Sequence, residues 1–239
     1  MDNTLKSIID NQKDYFNSKK TIDINFRIAL LKNLKKEIEL NEKDIENALN
    51  VDLGKSSGES YLTEIAFVYF EIKIALKNIK KWVKRKPVRS SLLNFPSSDY
   101  IIAEPYGNTL HISPWNYPFQ LAIAPLIGAV AAGNTVLLKP SEYSVNTSAI
   151  LNKILSKVFD DGFVKVVQGG PEIASEILKF KWDYIFFTGS VNVGKIVAKE
   201  AAKNLTPVTL ELGGKNPCVI DKTASLKVTA KRIVWGKFT

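Results

Sequence analysis

Three short runs of this sequence hold the residue types that could carry out chemistry. The run 113–118 places Asn116 between two prolines, the run 187–195 contains two glycines, and the run 211–215 opens on Glu211. An amide can donate to a developing oxyanion, a glycine turn can approach a phosphate, and a carboxylate can act as a base. The three runs together suggest a dinucleotide-binding turn, an amide donor and a general base. A nucleophile for that base to activate is not evident up to Thr239.

The glycine run follows an apolar strand pattern and opens a helical one. Ser190 is placed to cap that helix and Gly189 to let the backbone turn sharply, so that the start of the helix could bind a pyrophosphate. Gly194 and Lys195 complete most of the phosphate-loop signature G-x-x-x-x-G-K-[ST]. However, Ile196 stands where a hydroxyl should hold magnesium, which argues against an ATP or GTP hydrolase. A tight turn without a ligand is the structural alternative.

The other polar candidates also have structural alternatives. Lys139 could neutralise or hydrogen-bond a nucleotide and Glu142 could accept from ribose hydroxyls, but a short Lys-Pro turn explains the run as well. Asn116 could be a turn residue satisfied by its own backbone. Glu211 could be a base in a partly apolar cleft or a surface glutamate before a Gly-Gly turn.

The spacing of apolar residues predicts the elements that would position these groups. Apolar residues recur at helical spacing in the first 86 residues, and after residue 106 short apolar runs alternate with helical patterns. Strands alternating with helices in this way imply a parallel sheet with right-handed crossovers, which binds ligands beyond the carboxyl ends of its strands. We predict strands at 109–112, 135–138, 164–167, 184–187 and 208–210, and helices at 121–132, 147–159, 171–178 and 190–203.

The predicted fold class is therefore α/β. It is an open, doubly wound parallel sheet of the Rossmann-like kind, preceded by N-terminal helices and followed by an incomplete second domain. We divide the chain into N-terminal helices of the cofactor-binding domain (1–87), an extended arm (88–105), the dinucleotide-binding sheet (106–210) and the start of a truncated catalytic domain (211–239).

Composition limits the class of protein. A net charge of +9 could attract nucleic acid, but the basic residues lie in helical stretches without the aromatic alternation of RNA-binding proteins, so we expect no nucleic-acid partner. No apolar run reaches membrane-spanning length and the N-terminus is not a secretory signal, so we expect a cytoplasmic protein. His111 is predicted to be a core residue and Cys218 a buried strand thiol. One histidine and one cysteine also make a dedicated metal site improbable.

Taken together, the motifs resemble those of the aldehyde dehydrogenase superfamily. The matches are at 114–118, 139–142, 187–190, Gly194 and 211–217. The runs 52–55 and 61–65 are similar to the class 3 branch, which includes fatty-aldehyde enzymes. The resemblance covers nearly the whole chain and implies oxidation of an aldehyde to a carboxylic acid with NAD or NADP.

The resemblance also implies roles for individual residues. Asn116 matches the amide of the oxyanion hole and Glu211 the general base that activates water. Glu142 would discourage a 2′-phosphate, although class 3 members can accept both NAD and NADP. The positions implied to bind the cofactor are Ser113, Trp115, Lys139, Ser141, Glu142, Gly189, Ser190, Gly194 and Leu212.

The chain departs from the family pattern at its end. The family's nucleophilic cysteine follows a Gly-Gln pair shortly after a stretch similar to 235–239, and Cys218 does not match that position. We therefore expect this chain to be a cofactor-binding portion without activity of its own. The intact enzyme is expected to be a homodimer, whereas this portion, with its arm lacking partner strands, is not expected to assemble normally. Two alternatives are a non-catalytic nucleotide-binding fragment and a related acyl-CoA or acyl-phosphate reductase.

Overall fold

A computed structural model describes residues 3–238. The helices are α1 (Asn3–Asn17), α2 (Ile24–Leu40), α3 (Glu42–Leu53), α4 (Ser57–Ser60), α5 (Ala66–Trp82), α6 (Gln120–Ala132), α7 (Val145–Val158), α8 (Pro171–Ile177), α9 (Val191–Ala202) and α10 (Leu226–Phe238). The strands are β1 (Lys86–Val88), β2 (Asp99–Ile101), β3 (Asn108–Ile112), β4 (Thr135–Lys139), β5 (Val164–Val166), β6 (Tyr184–Gly189) and β7 (Val208–Leu212). A π-helical turn, Tyr61–Ile65, connects α4 to α5, and short 3-10 turns lie at Lys20–Ile22 and Leu92–Asn94.

Five of the strands form a parallel sheet in the order β5-β4-β3-β6-β7. The chain winds outward from the central strand β3 through β4 to β5, then returns to the other side of β3 to form β6 and β7. The direction of winding therefore reverses between β3 and β6. This arrangement confirms the predicted fold class, and the five predicted strands and four predicted helices of the sheet region are all present.

Two hydrophobic cores cover the two faces of the sheet. The larger core joins α2, α3 and α5 to α6, α7 and one face of β4 and β5, with Leu34, Ile72 and Ile123 among its buried residues. The smaller core packs α1, α8 and α9 against the other face and includes Trp182. Helices α2, α3 and α5, with the turns between them, thus form an outer N-terminal layer over α6 and α7, whereas α1 lies on the opposite face of the sheet.

Helix α6 is the most apolar helix in contact with that outer layer. Apart from Gln120 at its first position it contains only apolar residues and glycine, so its own side chains cannot satisfy the polar groups at its ends. At its carboxyl end, the buried guanidinium of Arg27 donates to the carbonyl of Ala131 and also to the backbone oxygens of Ile22 and Asp23. Arg27 thereby places a positive charge where the helix dipole is negative.

A second long-range contact joins the outer layer to α7. The carboxylate of Asp52, at the end of α3, accepts hydrogen bonds from the backbone amides of Asn146 and Thr147 at 3.1 and 2.7 Å and from both of their side chains at 2.8 Å. Ser144, which precedes the helix, instead donates its hydroxyl to the carbonyl of Trp115. The N-terminus of α7 is therefore capped by a residue distant in sequence.

Two parts of the chain lie outside these cores. Strands β1 and β2 form an antiparallel hairpin of their own, whose connecting segment carries the exposed side chains of Leu92, Leu93 and Phe95. Helix α10 has no buried residue, and the stretch 213–225 is almost entirely exposed.

The prediction for Cys218 was wrong. Its apolar neighbours Val219 and Ile220 suggested a buried strand, but Cys218 is exposed and lies in irregular chain. The run contains the side chains of a strand, but within residues 3–238 no surface packs over it.

Between residues 3 and 238, no helix is long and apolar enough to cross a membrane.

We expect Asp52→Ala to lower the free energy of unfolding by about 1–2 kcal/mol, because α7 loses its capping carboxylate. Burial alone would raise the pKa of Asp52, but the hydrogen bonds from Asn146 and Thr147 outweigh it and lower the pKa below its ordinary value. A lowered carboxylate pKa stabilises the folded state above the ordinary pKa of about 3.9 and loses that effect as the pH falls through the folded value. Urea denaturation should therefore give a lower free energy of unfolding for the variant than for the unmodified chain at pH 7, and the difference should shrink below about pH 4.

The control for Asp52 is Asp44→Ala, which removes a carboxylate of the same helix from an exposed ion pair with Lys153. Its effect should stay within about 0.5 kcal/mol. Equal losses for the two variants would show that the cap of α7 does not stabilise the fold.

Candidate active site

The candidate residues converge on one edge of the sheet. Register places Ile112 of β3 beside Lys139 of β4 and Phe187 of β6, and Glu211 of β7 beside Thr188. The loops that leave β3, β4, β6 and β7 therefore open on the same edge, at the carboxyl ends of the strands. The reversal of winding between β3 and β6 leaves a crevice there, which is where open sheets of this kind bind ligands.

The loop after β3 carries the candidate amide. Ser113 is buried, its backbone amide donates to the carbonyl of Lys139, and its hydroxyl oxygen has no hydrogen-bond partner among the described residues. Trp115 and Asn116 are exposed. The carbonyls of both are fixed, that of Trp115 by the hydroxyl of Ser144 and that of Asn116 by the ammonium group of Lys55. The backbone of this loop is therefore anchored while the Asn116 side chain faces solvent.

The loop after β4 holds an ion pair. The buried ammonium group of Lys139 lies 2.6 Å from Oε2 of Glu142. Burial alone would raise the pKa of Glu142, but the hydrogen bond and charge of Lys139, with a backbone hydrogen bond, lower it below its ordinary value. Ser141 is buried and its hydroxyl oxygen accepts from the amide of Tyr143. Lys139 and Glu142, the two residues expected at the adenosine end of the cofactor, thus contact each other.

The turn after β6 begins α9 as predicted. The hydroxyl of Ser190 accepts from the amide of Val193 at 3.3 Å and caps the helix. Gly189 is not in the left-handed region; an added Cβ there would lie 2.6 Å from Cζ of Phe187, so close approach rather than a sharp turn requires glycine. Similarly, a Cβ on Gly194 would lie 2.6 Å from Cδ2 of Leu212. Gly189 therefore lies against a side chain of its own strand, and Gly194 lies against β7.

Glu211 differs from its expected environment. It lies near the end of β7, in register with Thr188, and its side chain is exposed rather than set in a partly apolar cleft. The edge strand has a neighbour on one side only within the described residues, which leaves this carboxylate in contact with solvent.

A buried ion pair beneath the crevice was not identified as functional from the sequence. Lys55 is 7% exposed and Glu64 is fully buried, and Nζ of Lys55 lies 2.6 Å from Oε1 of Glu64. The other carboxylate oxygen of Glu64 accepts from the backbone amides of Phe119 and Gln120 at 2.8 and 3.1 Å. The resemblance of the runs 52–55 and 61–65 to class 3 sequences was the only signal that marked these two residues.

His111 is a core residue, as predicted. It is 4% exposed, its ring lies 5.7 Å from that of Phe186, and its Nδ1 has no hydrogen-bond partner among the described residues. Burial lowers the pKa of His111 to about 3, so the imidazole is neutral at physiological pH.

The fold and the crevice place the chain among the open, doubly wound α/β proteins. The family model described as "Aldehyde dehydrogenase family" matches residues 2–239, so the chain belongs to the aldehyde dehydrogenase family.

Individual relatives agree with the class 3 branch. The 4,4'-diaponeurosporen-aldehyde dehydrogenase of Staphylococcus aureus is 48% identical over 237 residues, which are 99% of this chain and 52% of that protein. Aldehyde dehydrogenase family 3 member B3 of Mus musculus is 47% identical over 226 residues, which are 95% of this chain and 47% of that protein. A solved structure described as the substrate-bound state of Staphylococcus aureus AldH superposes with a TM-score of 0.92 at 47% identity, covering 97% of this chain and 51% of that one. The chain thus spans about half the length of these relatives.

We expect His111→Gln to remove a pH dependence of stability. Because the folded pKa of His111 is about 3, the unfolded state binds a proton near pH 6 that the folded state does not bind. Stability should fall by up to about 1.4 kcal/mol per pH unit as the pH drops from about 6.5 to 4.5. Urea denaturation at several pH values should show this slope for the unmodified chain and a smaller slope for the variant, whatever the variant's stability at pH 7.5. Identical slopes would contradict the buried neutral imidazole.

Proposed function

We propose that this chain supplies the NAD(P)-binding crevice, the oxyanion-hole amide and the general base of an enzyme that oxidises an aldehyde to a carboxylic acid. One observation carries the proposal. The Asn116 loop, the capped turn at Ser190 and the carboxylate of Glu211 lie at the same sheet edge, around the point where the winding reverses. Members of the family use NAD or NADP.

The turn before α9 fits a diphosphate. The start of a helix presents backbone amides and the positive end of its dipole, which suit a diphosphate. Gly189, Ser190 and Gly194 would lie beside the diphosphate, with Leu212 next to Gly194. On the other side of β3, Lys139 and Glu142, with Ser141 between them, would hold the adenosine end. Ser113 and Trp115 would line the crevice between the two.

The proposed chemistry in the whole protein divides among a few groups. A thiolate supplied by another part of the whole protein adds to the aldehyde carbon, and the amide of Asn116 donates to the oxyanion that forms. NAD or NADP, held by the crevice residues on either side of β3, would supply the acceptor for the hydride that leaves the former aldehyde carbon, and the adduct becomes a thioester. Glu211 then removes a proton from water, which attacks the thioester, releases the thiol and yields the acid. The carboxylate base favours the hydrolytic reaction over transfer to phosphate or CoA.

The exposed hairpin supports a proposal about assembly. Its connecting segment presents Leu92, Leu93 and Phe95 to solvent, and β1 and β2 pair only with each other among the described residues. We propose that the hairpin belongs to the oligomerisation region and that the whole enzyme is a homodimer.

The central test uses the chain as it stands. Calorimetric titration should detect binding of NAD or NADP, while an assay with aldehyde and NAD should give only background NADH, because Cys218, the one cysteine, does not match the nucleophile position. Ser190→Asp should weaken cofactor binding by about tenfold or more, since aspartate still caps a helix but repels a diphosphate.

The matched control is Ser91→Asp, which makes the same charge change at another capping serine, in the hairpin. It should leave cofactor affinity unchanged. Equal weakening by the two variants would refute the assignment of the crevice, and robust turnover by the chain alone would refute the assignment of the nucleophile to another part of the whole protein.

A second prediction concerns the choice between NAD and NADP. The Glu142 carboxylate, kept ionised by Lys139, should repel a 2′-phosphate. Glu142→Gln removes that charge and frees the Lys139 ammonium, so the ratio of NADP to NAD affinity should rise by about tenfold, equivalent to 1.4 kcal/mol. Glu172→Gln, at the start of α8, is the control for a carboxylate elsewhere. An unchanged ratio for Glu142→Gln would place the 2′-hydroxyl away from this residue.

A further inference from the structure

The ion pair between Lys55 and Glu64 stands out among the charged pairs of the described residues. The side chains of both partners are less than a tenth exposed, at 8% and 0%, whereas each of the other ion pairs among the described residues has one partner that is at least 31% exposed. Two charges removed from water carry a desolvation penalty that their attraction does not reliably repay. A gain in stability alone therefore does not explain why this ion pair is buried.

Both members of the pair contact the loop that carries Asn116. The ammonium group of Lys55 donates to the carbonyl oxygen of Asn116 at 3.1 Å and lies 4.0 Å from the ring centroid of Tyr117. Glu64 accepts from the amides of Phe119 and Gln120, where the loop becomes α6. Every residue from Asn116 to Gln120 except Pro118 is thus contacted by one member of the pair.

These contacts fix the backbone but leave the Asn116 side chain free to act. Lys55 binds the main-chain oxygen of Asn116, and the side-chain amide remains exposed at the crevice. The loop has no regular structure between β3 and α6, so its shape depends on such anchors. An oxyanion hole requires its donor to be held in place before the charge develops.

We propose that Lys55 and Glu64 are positioning residues that hold the Asn116 amide in the geometry needed to stabilise the oxyanion. The inference rests on the proposed function, since it assigns a purpose to a contact with the proposed oxyanion donor. Neither residue touches the substrate; both act through the backbone of residues 116–120.

The kinetic test uses the whole protein. Lys55→Met combined with Glu64→Gln removes both charges together, so that no buried charge is left unpaired. We expect kcat to fall on the order of 10- to 100-fold through displacement of the amide, with little change in KM for NAD. The matched control is Asp44→Asn with Lys153→Met, which removes an exposed pair of a lysine and a carboxylate and should leave kcat unchanged.

A double-mutant cycle separates positioning from general damage. In an Asn116→Ala background, the Lys55→Met/Glu64→Gln pair should lower kcat by less than about twofold, because the group it positions is already absent. A loss that multiplies with that of Asn116→Ala would overturn the proposal. Lys55→Arg keeps the charge balance but changes the donor geometry, and should give an intermediate loss that also vanishes in the Asn116→Ala background.

A measurement on the 239-residue chain stands apart from the proposed function. The backbone amides of Phe119 and Gln120 should exchange with deuterium at least about tenfold faster in Lys55→Met/Glu64→Gln, relative to amides in the centre of β3. Unchanged exchange would overturn the inference even if the enzyme is active. The whole protein could show no aldehyde oxidation while exchange in the variant still rises as expected. That result would refute the proposed function but would still show that the ion pair fixes the backbone of the loop.

Discussion

The structure depends on how the ends of a buried apolar helix are satisfied. Helix α6 has almost no polar side chains, so the terminal backbone groups that its adjoining turns leave unpaired need partners from elsewhere. The N-terminal layer provides them, with Glu64 at the amino end and Arg27 at the carboxyl end. Each charge has the sign that the helix dipole favours. The position of α6 over the sheet is thereby tied to helices that precede it by 40 residues or more.

The same constraint makes the N-terminal layer part of the site. The loop after β3 leads directly into α6, and the loop after β4 leads into α7. Glu64 binds the start of the first helix and Asp52 the start of the second, so both crevice loops end at a carboxylate from the segment that runs from the end of α3 to the start of α5. Ser144 then joins the two loops through the carbonyl of Trp115. A layer that contributes no direct ligand for the cofactor in this scheme therefore sets the shape of the crevice.

The features that could be predicted from the sequence are those that depend on residues close to one another along the chain. Alternating apolar runs located the strands and their helices, and Ser190 was recognised as a cap because the amide it accepts from is three residues away. Glu64 and Asp52 could not be recognised in this way, since the amides they cap lie 55 and 95 residues further on. Cys218 failed for a related reason: its apolar neighbours describe a strand, but burial requires a covering surface that a local pattern does not reveal. For Glu211, the position at the carboxyl end of its strand was predicted, but the local sequence left open whether its side chain lies in a cleft or on the surface, and the structure places it on the surface.

The pairing of charges beneath Asn116 has an electrostatic consequence. A lone buried lysine at that position would attract any anion to the crevice. With Glu64 beside it, the pair has no net charge, and its field acts mainly along the line from carboxylate to ammonium. In the proposed reaction, Lys55 would then orient the carbonyl of Asn116 at 3.1 Å without neutralising the negative charge that forms beside the Asn116 side chain. A neutral pair that holds the loop would thus leave the stabilisation of the proposed oxyanion to a directional amide, whose contribution is largest when the charge forms.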